Sequence, residues 1–274
     1  MKKFHILHYN PGLHILHGYT DVIDSLVWGL NALGCQVTTG INQWRTDVTQ
    51  IIVGAQFMPS EMLAQFPAST CIYNLEQVDG FVRTFGDAPI FRQMADNFEI
   101  WDYNAGNVAR WQTDYAARRV KLVPIGYAPV LSRIPRSDEQ DIDVLFYGAP
   151  TEYRYLILAR ICGAGLNLVN FCGIYGAARD SLIARAKVVL NLRHDVATSV
   201  FSVVRAAYLL ANRKVIVSDT VASDDDRPDG IVFVDADWIP TVCKRLVENQ
   251  ELRCFAEEFG YQAFARRDIA TALR

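Results

Sequence analysis

Short apolar runs of strand character alternate with amphipathic helical stretches along the whole chain, and few folds accommodate that alternation besides parallel sheets with crossover helices. Phe4-His5-Ile6-Leu7-His8-Tyr9 reads as a strand, and Val22, Ile23, Leu26, Val27, Leu30 and Leu33 lie on one helical face ending at Gly34. Further strands are expected at 36–39, 50–53, 69–74, 98–101 and 120–123, with helices near 60–66, 88–96 and 105–117. From Pro124 to Asp141 the text turns to Pro, Gly and polar residues, which marks a domain boundary. A second alternation follows: strand 142–147, helix 152–163, strand 167–171, helix 179–186, strand 187–192, helix 200–211, strands 214–218 and 231–234, and helices over the last 35 residues. The class is α/β, with two doubly wound Rossmann-like domains, 1–127 and 128–274, facing each other across a ligand cleft at the carboxyl ends of their strands.

The 51% hydrophobic and 21% charged composition excludes disordered and fibrous classes. The apolar stretch behind Met1-Lys2-Lys3 is broken by His5 and His8, so no export signal is expected. No run of about 18 uncharged apolar residues occurs, so no membrane span is expected and a cytoplasmic location is. Six cysteines lack any CxxC pair and read as reduced core thiols. The net charge of -3 is shared evenly by the two halves and gives no global attraction for a polyanion.

The chemistry concentrates in the second half. Asp143-Val144-Leu145-Phe146-Tyr147-Gly148 is a strand entering a glycine turn, followed by Thr151, Glu152 and Arg154 at a helix start. Glycine admits close approach of backbone amides, and a helix N-terminus with an arginine nearby favours phosphate. Downstream, a strand ends in Arg193-His194-Asp195, Thr198 and Ser199 stand where a helix is capped, and Arg205 lies on that helix. Each also has a plain reading, as turn, cap or salt-bridge residue.

This block resembles the nucleotide-sugar-binding domain of GT-B-fold glycosyltransferases, in particular small bacterial and viral members of the family 1 or CgeB-like type. The resemblance extends to Ile72-Tyr73-Asn74-Leu75-Glu76-Gln77, Trp101-Asp102-Tyr103, Val123-Pro124-Ile125-Gly126-Tyr127 and Asp229-Gly230-Ile231-Val232-Phe233-Val234. It implies a hexosyl- or pentosyltransferase with a UDP-sugar as the expected donor and no further cofactor. Gly148, Arg154, Arg193, His194, Thr198, Ser199 and Arg205 then become donor-binding candidates. The family's helix commonly carries a glutamate toward the donor; here it offers Arg205 and no acid.

On the acceptor side the resemblance places the loop with His14 and His17, either of which can take a proton from a hydroxyl near neutral pH. Glu76 ends a strand and is a base, a hydrogen-bond partner or a helix cap. His5 and His8 fall on opposite faces of their strand and make a poor chelate, and Asp224-Asp225-Asp226 sits among turn residues, so no essential metal is expected. The acceptor is a glycan or a hydroxylated base of phage DNA. For the latter, Trp44, Arg45, Arg83, Arg92, Arg110, Trp111, Arg118, Arg119 and Lys121 are the basic and aromatic candidates. The competing reading is a non-catalytic two-lobed nucleotide or sugar sensor, which needs no base. No GxGxxG follows either first strand, which argues against a dehydrogenase.

Overall fold

A computed structural model describes residues 1–78, 89–195, 201–220 and 228–274, with residues 14 and 15 described by their backbone alone. The chain forms two compact units, Met1–Gly126 with Asp268–Arg274, and Tyr127–Arg267.

The first unit holds β1 (Lys3–His8), β2 (Gln36–Ile41), β3 (Thr49–Val53), β4 (Cys71–Asn74), β5 (Glu99–Asp102) and β6 (Val120–Leu122). Among the described residues they form one parallel six-stranded sheet in the order β2-β1-β3-β4-β5-β6. Its helices are α1 (Thr20–Ala32), the single turn α2 (Ser60–Leu63), α3 (Pro89–Asn97) and α4 (Ala105–Asp114). One side of the sheet buries Leu7, Ile52, Ile72 and Ile100 against Phe91, Trp111 and Tyr115, with Phe91 and Trp111 stacked at 5.2 Å. Asn104 caps α4 by accepting the Asn107 N–H. That helix stops three residues short of the expected 117, because Ala116 takes a left-handed φ of 52°.

The second unit holds β7 (Ile142–Tyr147), β8 (Leu168–Phe171), β9 (Ala186–Asn191), β10 (Val215–Asp219) and β11 (Val232–Val234), ordered β11-β10-β9-β7-β8 and parallel among the described residues. Its helices are α5 (Glu152–Gly163), α6 (Gly176–Arg185), α7 (Val203–Ala211), α8 (Ile239–Glu248) and α9 (Gln250–Ala265). The core lies where Val144, Val188 and Val215 meet Ile157, Ile161, Ile239 and Leu246. Helix α6 begins three residues before the expected 179, at Gly176, and strand β9 takes Ala186, which the periodicity gave to the helix.

The order within each sheet reverses at its first strand, between β1 and β3 and between β7 and β9. Two crossovers leave such a point in opposite directions, so the carboxyl ends there stay uncovered and ligands bind in that crevice.

The last segment, with α10 (Ile269–Ala272), packs on α1 of the first unit, whereas sequence order places it with the second half. Gly29 makes room for it: a Cβ there would stand 2.8 Å from Leu273 Cδ1 and 2.9 Å from Ile269 Cγ2. The cysteines are free, but only Cys71 and Cys243 are buried. Cys162, Cys172 and Cys254 are exposed, which corrects the expectation of core thiols: Cys162 and Cys254 stand on outer faces of α5 and α9, and Cys172 follows the edge strand β8. Among the described residues no helix is long and apolar enough to cross a membrane.

Candidate functional site

In the second unit the reversal point is built from arginines. Gly148 ends β7 at a φ of 154°, and a Cβ there would lie 2.7 Å from Arg205 Nη2 and 3.5 Å from Arg154 Nη1. A side chain there would collide with Arg205, so a glycine lets that guanidinium approach the turn. The two arginines nevertheless do different things. Arg154 is buried, and donates from Nε to the Arg193 carbonyl (2.9 Å), from Nη1 to that of Ala149 (2.8 Å) and from Nη2 to that of Leu192 (2.8 Å). It ties the turn after β7 to the strand end of β9, and burial together with the Arg205 charge lowers its pKa to about 10.

Arg205 reaches the same place from α7. Its Nη1 donates to Asn191 Oδ1 at 2.8 Å, and its guanidinium lies 5.2 Å from the Tyr147 ring centroid and 5.6 Å from that of Phe146. Its Nε is buried with no acceptor among the described residues. Burial depresses its pKa, Arg154 is a second cation beside it, and among the described residues no carboxylate is bonded to it.

Arg193 is held by its neighbours: its backbone N–H and Nε donate to Asp219 Oδ1 (3.1 Å) and Oδ2 (2.8 Å), and Tyr153 donates to the same Oδ2 at 2.6 Å. His194 is exposed beside Asp195, and its carbonyl accepts the Thr151 hydroxyl at 2.8 Å. Thr198 and Ser199 lie outside the described residues, as do Arg83 and Asp224–Asp226. The structure therefore brings Gly148, Arg154, Arg193 and Arg205 together at the end of the sheet, and among the described arginines Arg205 alone has a buried donor without a partner.

In the first unit, Glu76 follows β4 and accepts a hydrogen bond on Oε1 from the Tyr19 hydroxyl. Tyr19 is buried, and closes the six-residue 3-10 helix His14–Tyr19 that brings it there. Burial raises the Glu76 pKa and the Tyr19 bond partly offsets it. Burial, the Glu76 charge and the hydrogen bond to Glu76 raise that of Tyr19. His8, at the carboxyl end of β1, lies 6.1 Å from Tyr19 ring to ring, and its Nε2 is buried without a partner among the described residues. Burial and the nearby charge of His17 lower the His8 pKa, so it is neutral at pH 7. His17 thus joins the cluster, while His14 opens the short helix with its side chain outside the description. His5 points away, pairing with Thr38 Oγ1 (2.8 Å) and the Gln43 carbonyl (2.7 Å). Among the described residues no three His, Cys, Asp or Glu side chains are grouped to hold a metal ion.

The sequence reading missed Tyr19, His8, Asn191 and Asp219. A common signal marks three of them: His8, Asn191 and Asp219 are polar residues that end largely buried strands.

No family model matches the sequence, and no curated protein matches it. Solved structures do. The DNA-modifying enzyme β-glucosyltransferase, studied with and without uridine diphosphoglucose, superposes with a TM-score of 0.62 at 13% identity, over 99% of this chain and 97% of that one. A T4 phage BGT mutant in complex with UDP-glucose gives 0.62 at 12% identity, covering 99% and 96%. An α-glucosyltransferase (AGT) in complex with UDP gives 0.61 at 11% identity, covering 100% and 98%. TarM gives 0.58 at 9% identity over 83% of this chain, which spans only 53% of TarM. The fold is that of the GT-B glycosyltransferases, α/β with two Rossmann-like units, as the sequence resemblance implies.

Proposed function

We propose that this chain is a glycosyltransferase that moves a hexose or pentose from a nucleoside diphosphate, UDP being the expected carrier, to an acceptor hydroxyl, without an essential metal. The observation that carries the reading is Arg205: a half-buried guanidinium beside a glycine turn where two parallel strands part, its Nε without an acceptor among the described residues. A diphosphate supplies the missing acceptors, and the neighbouring UDP and UDP-glucose complexes of the same fold are consistent with that assignment.

In the reaction, the bond from the anomeric carbon to the diphosphate oxygen breaks and one to the acceptor oxygen forms. Arg205 stabilises the charge developing on the leaving diphosphate. Gly148 lets the phosphates approach the backbone, Arg154 and Arg193 hold the walls of the turn, and His194, Thr198 and Ser199 are the remaining donor contacts. Glu76 takes the acceptor proton as general base, with Tyr19 fixing one carboxylate oxygen, and His14 and His17 are acceptor-side hydrogen-bonding groups. The sensor alternative needs no carboxylate held in this way. The acceptor is a glycan or a hydroxylated base of phage DNA, the latter in line with the likeness to a DNA-modifying enzyme of the same fold. The second unit serves the donor and the first the acceptor, in a cytoplasmic enzyme.

A thermal-shift comparison of UDP, GDP and ADP tests the donor reading, since a ligand selective for the native state raises the melting temperature by mass action. UDP at millimolar concentration is expected to stabilise the protein; no shift with any of the three removes the donor assignment. Release of UDP from UDP-glucose then separates a transferase from a sensor that binds without turnover.

A further inference from the structure

Asp102 terminates β5 and is 0% exposed. Among the described residues no basic side chain is bonded to it; four neutral donors are. Oδ2 accepts from Asn74 Nδ2 (2.7 Å) and Trp111 Nε1 (2.8 Å), and Oδ1 from the Asn104 N–H (3.0 Å) and Asn107 Nδ2 (3.1 Å). The two carboxamides continue the network toward Glu76. Asn74 and Asn107 each send the second hydrogen of Nδ2 to the Glu76 carbonyl, at 2.8 Å and 2.9 Å. Their oxygens face the same segment from the other side: Asn74 Oδ1 accepts the Glu76 N–H at 3.3 Å and Asn107 Oδ1 the Val78 N–H at 3.2 Å. An ionised carboxylate can only accept, so it fixes both carboxamides with nitrogen toward itself and oxygen toward residues 76–78; flipping either amide would set oxygen against oxygen.

We propose that Asp102 is a positioning residue for Glu76, acting through Asn74 and Asn107 to hold the backbone from which the Glu76 carboxylate is presented. The proposal rests on the reading of Glu76 as the base. A carboxylate on a loop swings with its backbone, and misplacement of a reacting group by about 1 Å can cost about 100-fold in rate. Tyr19 holds the side chain; the Asp102 pair holds the main chain.

The test is Asp102→Asn, which keeps the shape but turns a donor toward Asn74 or Asn107. Two quantities are read on the full chain: hydrogen exchange of the peptide spanning 74–78, and kcat for UDP release from UDP-glucose, in the native and Glu76→Gln backgrounds. Exchange in 74–78 is expected to quicken about tenfold or more. The kcat should fall about 10- to 100-fold, with UDP affinity within about twofold. In the Glu76→Gln background the same change should cost nothing further. Trp111→Phe removes one donor to Asp102 while leaving both carboxamides in place, and should lower stability without the loss in kcat. Unchanged exchange at 74–78 overturns the proposal, as does an equal kcat loss with Glu76→Gln already present, or an equal loss in Trp111→Phe at matched stability. If Glu76→Gln keeps the native kcat while Asp102→Asn loosens 74–78, the base assignment fails and the clamp is structural only.

Discussion

Arg154 and Arg205 approach the same glycine, yet their hydrogen bonds assign them opposite roles. Arg154 serves three carbonyls, so Arg154→Met leaves buried acceptors unsatisfied and should destabilise the fold by about 3 kcal/mol or more. Arg205 keeps a buried donor in reserve, so Arg205→Leu strips a single acceptor, Asn191 Oδ1, and should lower the melting temperature less than Arg154→Met while UDP binding weakens about 10- to 100-fold, the worth of a charge-assisted hydrogen bond. Melting curves with and without UDP check both; a collapse of the Arg205→Leu protein, or an undiminished UDP shift, contradicts the assignment. Tyr19 carries a prediction about pH. Burial raises the Glu76 pKa and the Tyr19 hydroxyl lowers it, so Tyr19→Phe raises it further. A base works ionised, and its activity is lost as pH falls through its pKa. The acid limb of the kcat profile for UDP-glucose turnover should therefore move to higher pH in Tyr19→Phe, and a limb that stays or moves down refutes the pairing.

Among elements, α1 shows how packing overrides propensity. Replacing a mid-helix glycine by alanine ordinarily stabilises by about 1 kcal/mol. At Gly29 the added methyl would meet Ile269 Cγ2 at 2.9 Å, and Ile269 is buried and β-branched. Gly29→Ala is expected to destabilise by about 1 to 3 kcal/mol, the range for an overfilled contact, with a lower midpoint in urea. A raised midpoint would mean that the terminal segment yields freely. The strand ends share a feature: β1, β4, β5, β9 and β10 close on the buried polar residues His8, Asn74, Asp102, Asn191 and Asp219. These residues are buried, carry the hydrogen-bond networks, and stand at the ends where parallel α/β sheets bind ligands.

For the whole molecule the charge of -3 matters most. A nucleic acid acceptor has to be met by local cations. Arg118 and Arg119 are both exposed, and Arg119 also donates to the carbonyls of Asn97 (2.7 Å) and Ala68 (3.3 Å). With hydroxymethylated duplex DNA as acceptor, KM should rise steeply with salt, and Arg118→Glu should raise it at low salt. A radiolabel-transfer assay on the duplex and on extracted glycan decides: label in glycan alone, without salt dependence, assigns the acceptor to the second class. Turnover in either case should persist in excess EDTA if cationic side chains stabilise the leaving group.

The alternation of apolar period determined the α/β class and nearly every strand from the sequence alone, because a buried strand and an amphipathic helix each write their burial into local spacing. Gly148 and Glu76 were legible for a related reason, standing at the ends of recognisable strands. What spacing could not carry was partnership. Nothing local distinguishes Arg154, saturated by carbonyls 38 and 39 residues away, from Arg205 with a donor to spare. Likewise Tyr19 meets Glu76 across 57 residues, and Asp102 gathers Asn74 from another strand. Strand order, the reversal points it creates and the docking of 268–274 on the first unit are long-range outcomes, since they depend on which buried surfaces fit together and which buried polar atoms find acceptors. The tertiary structure alone decided those.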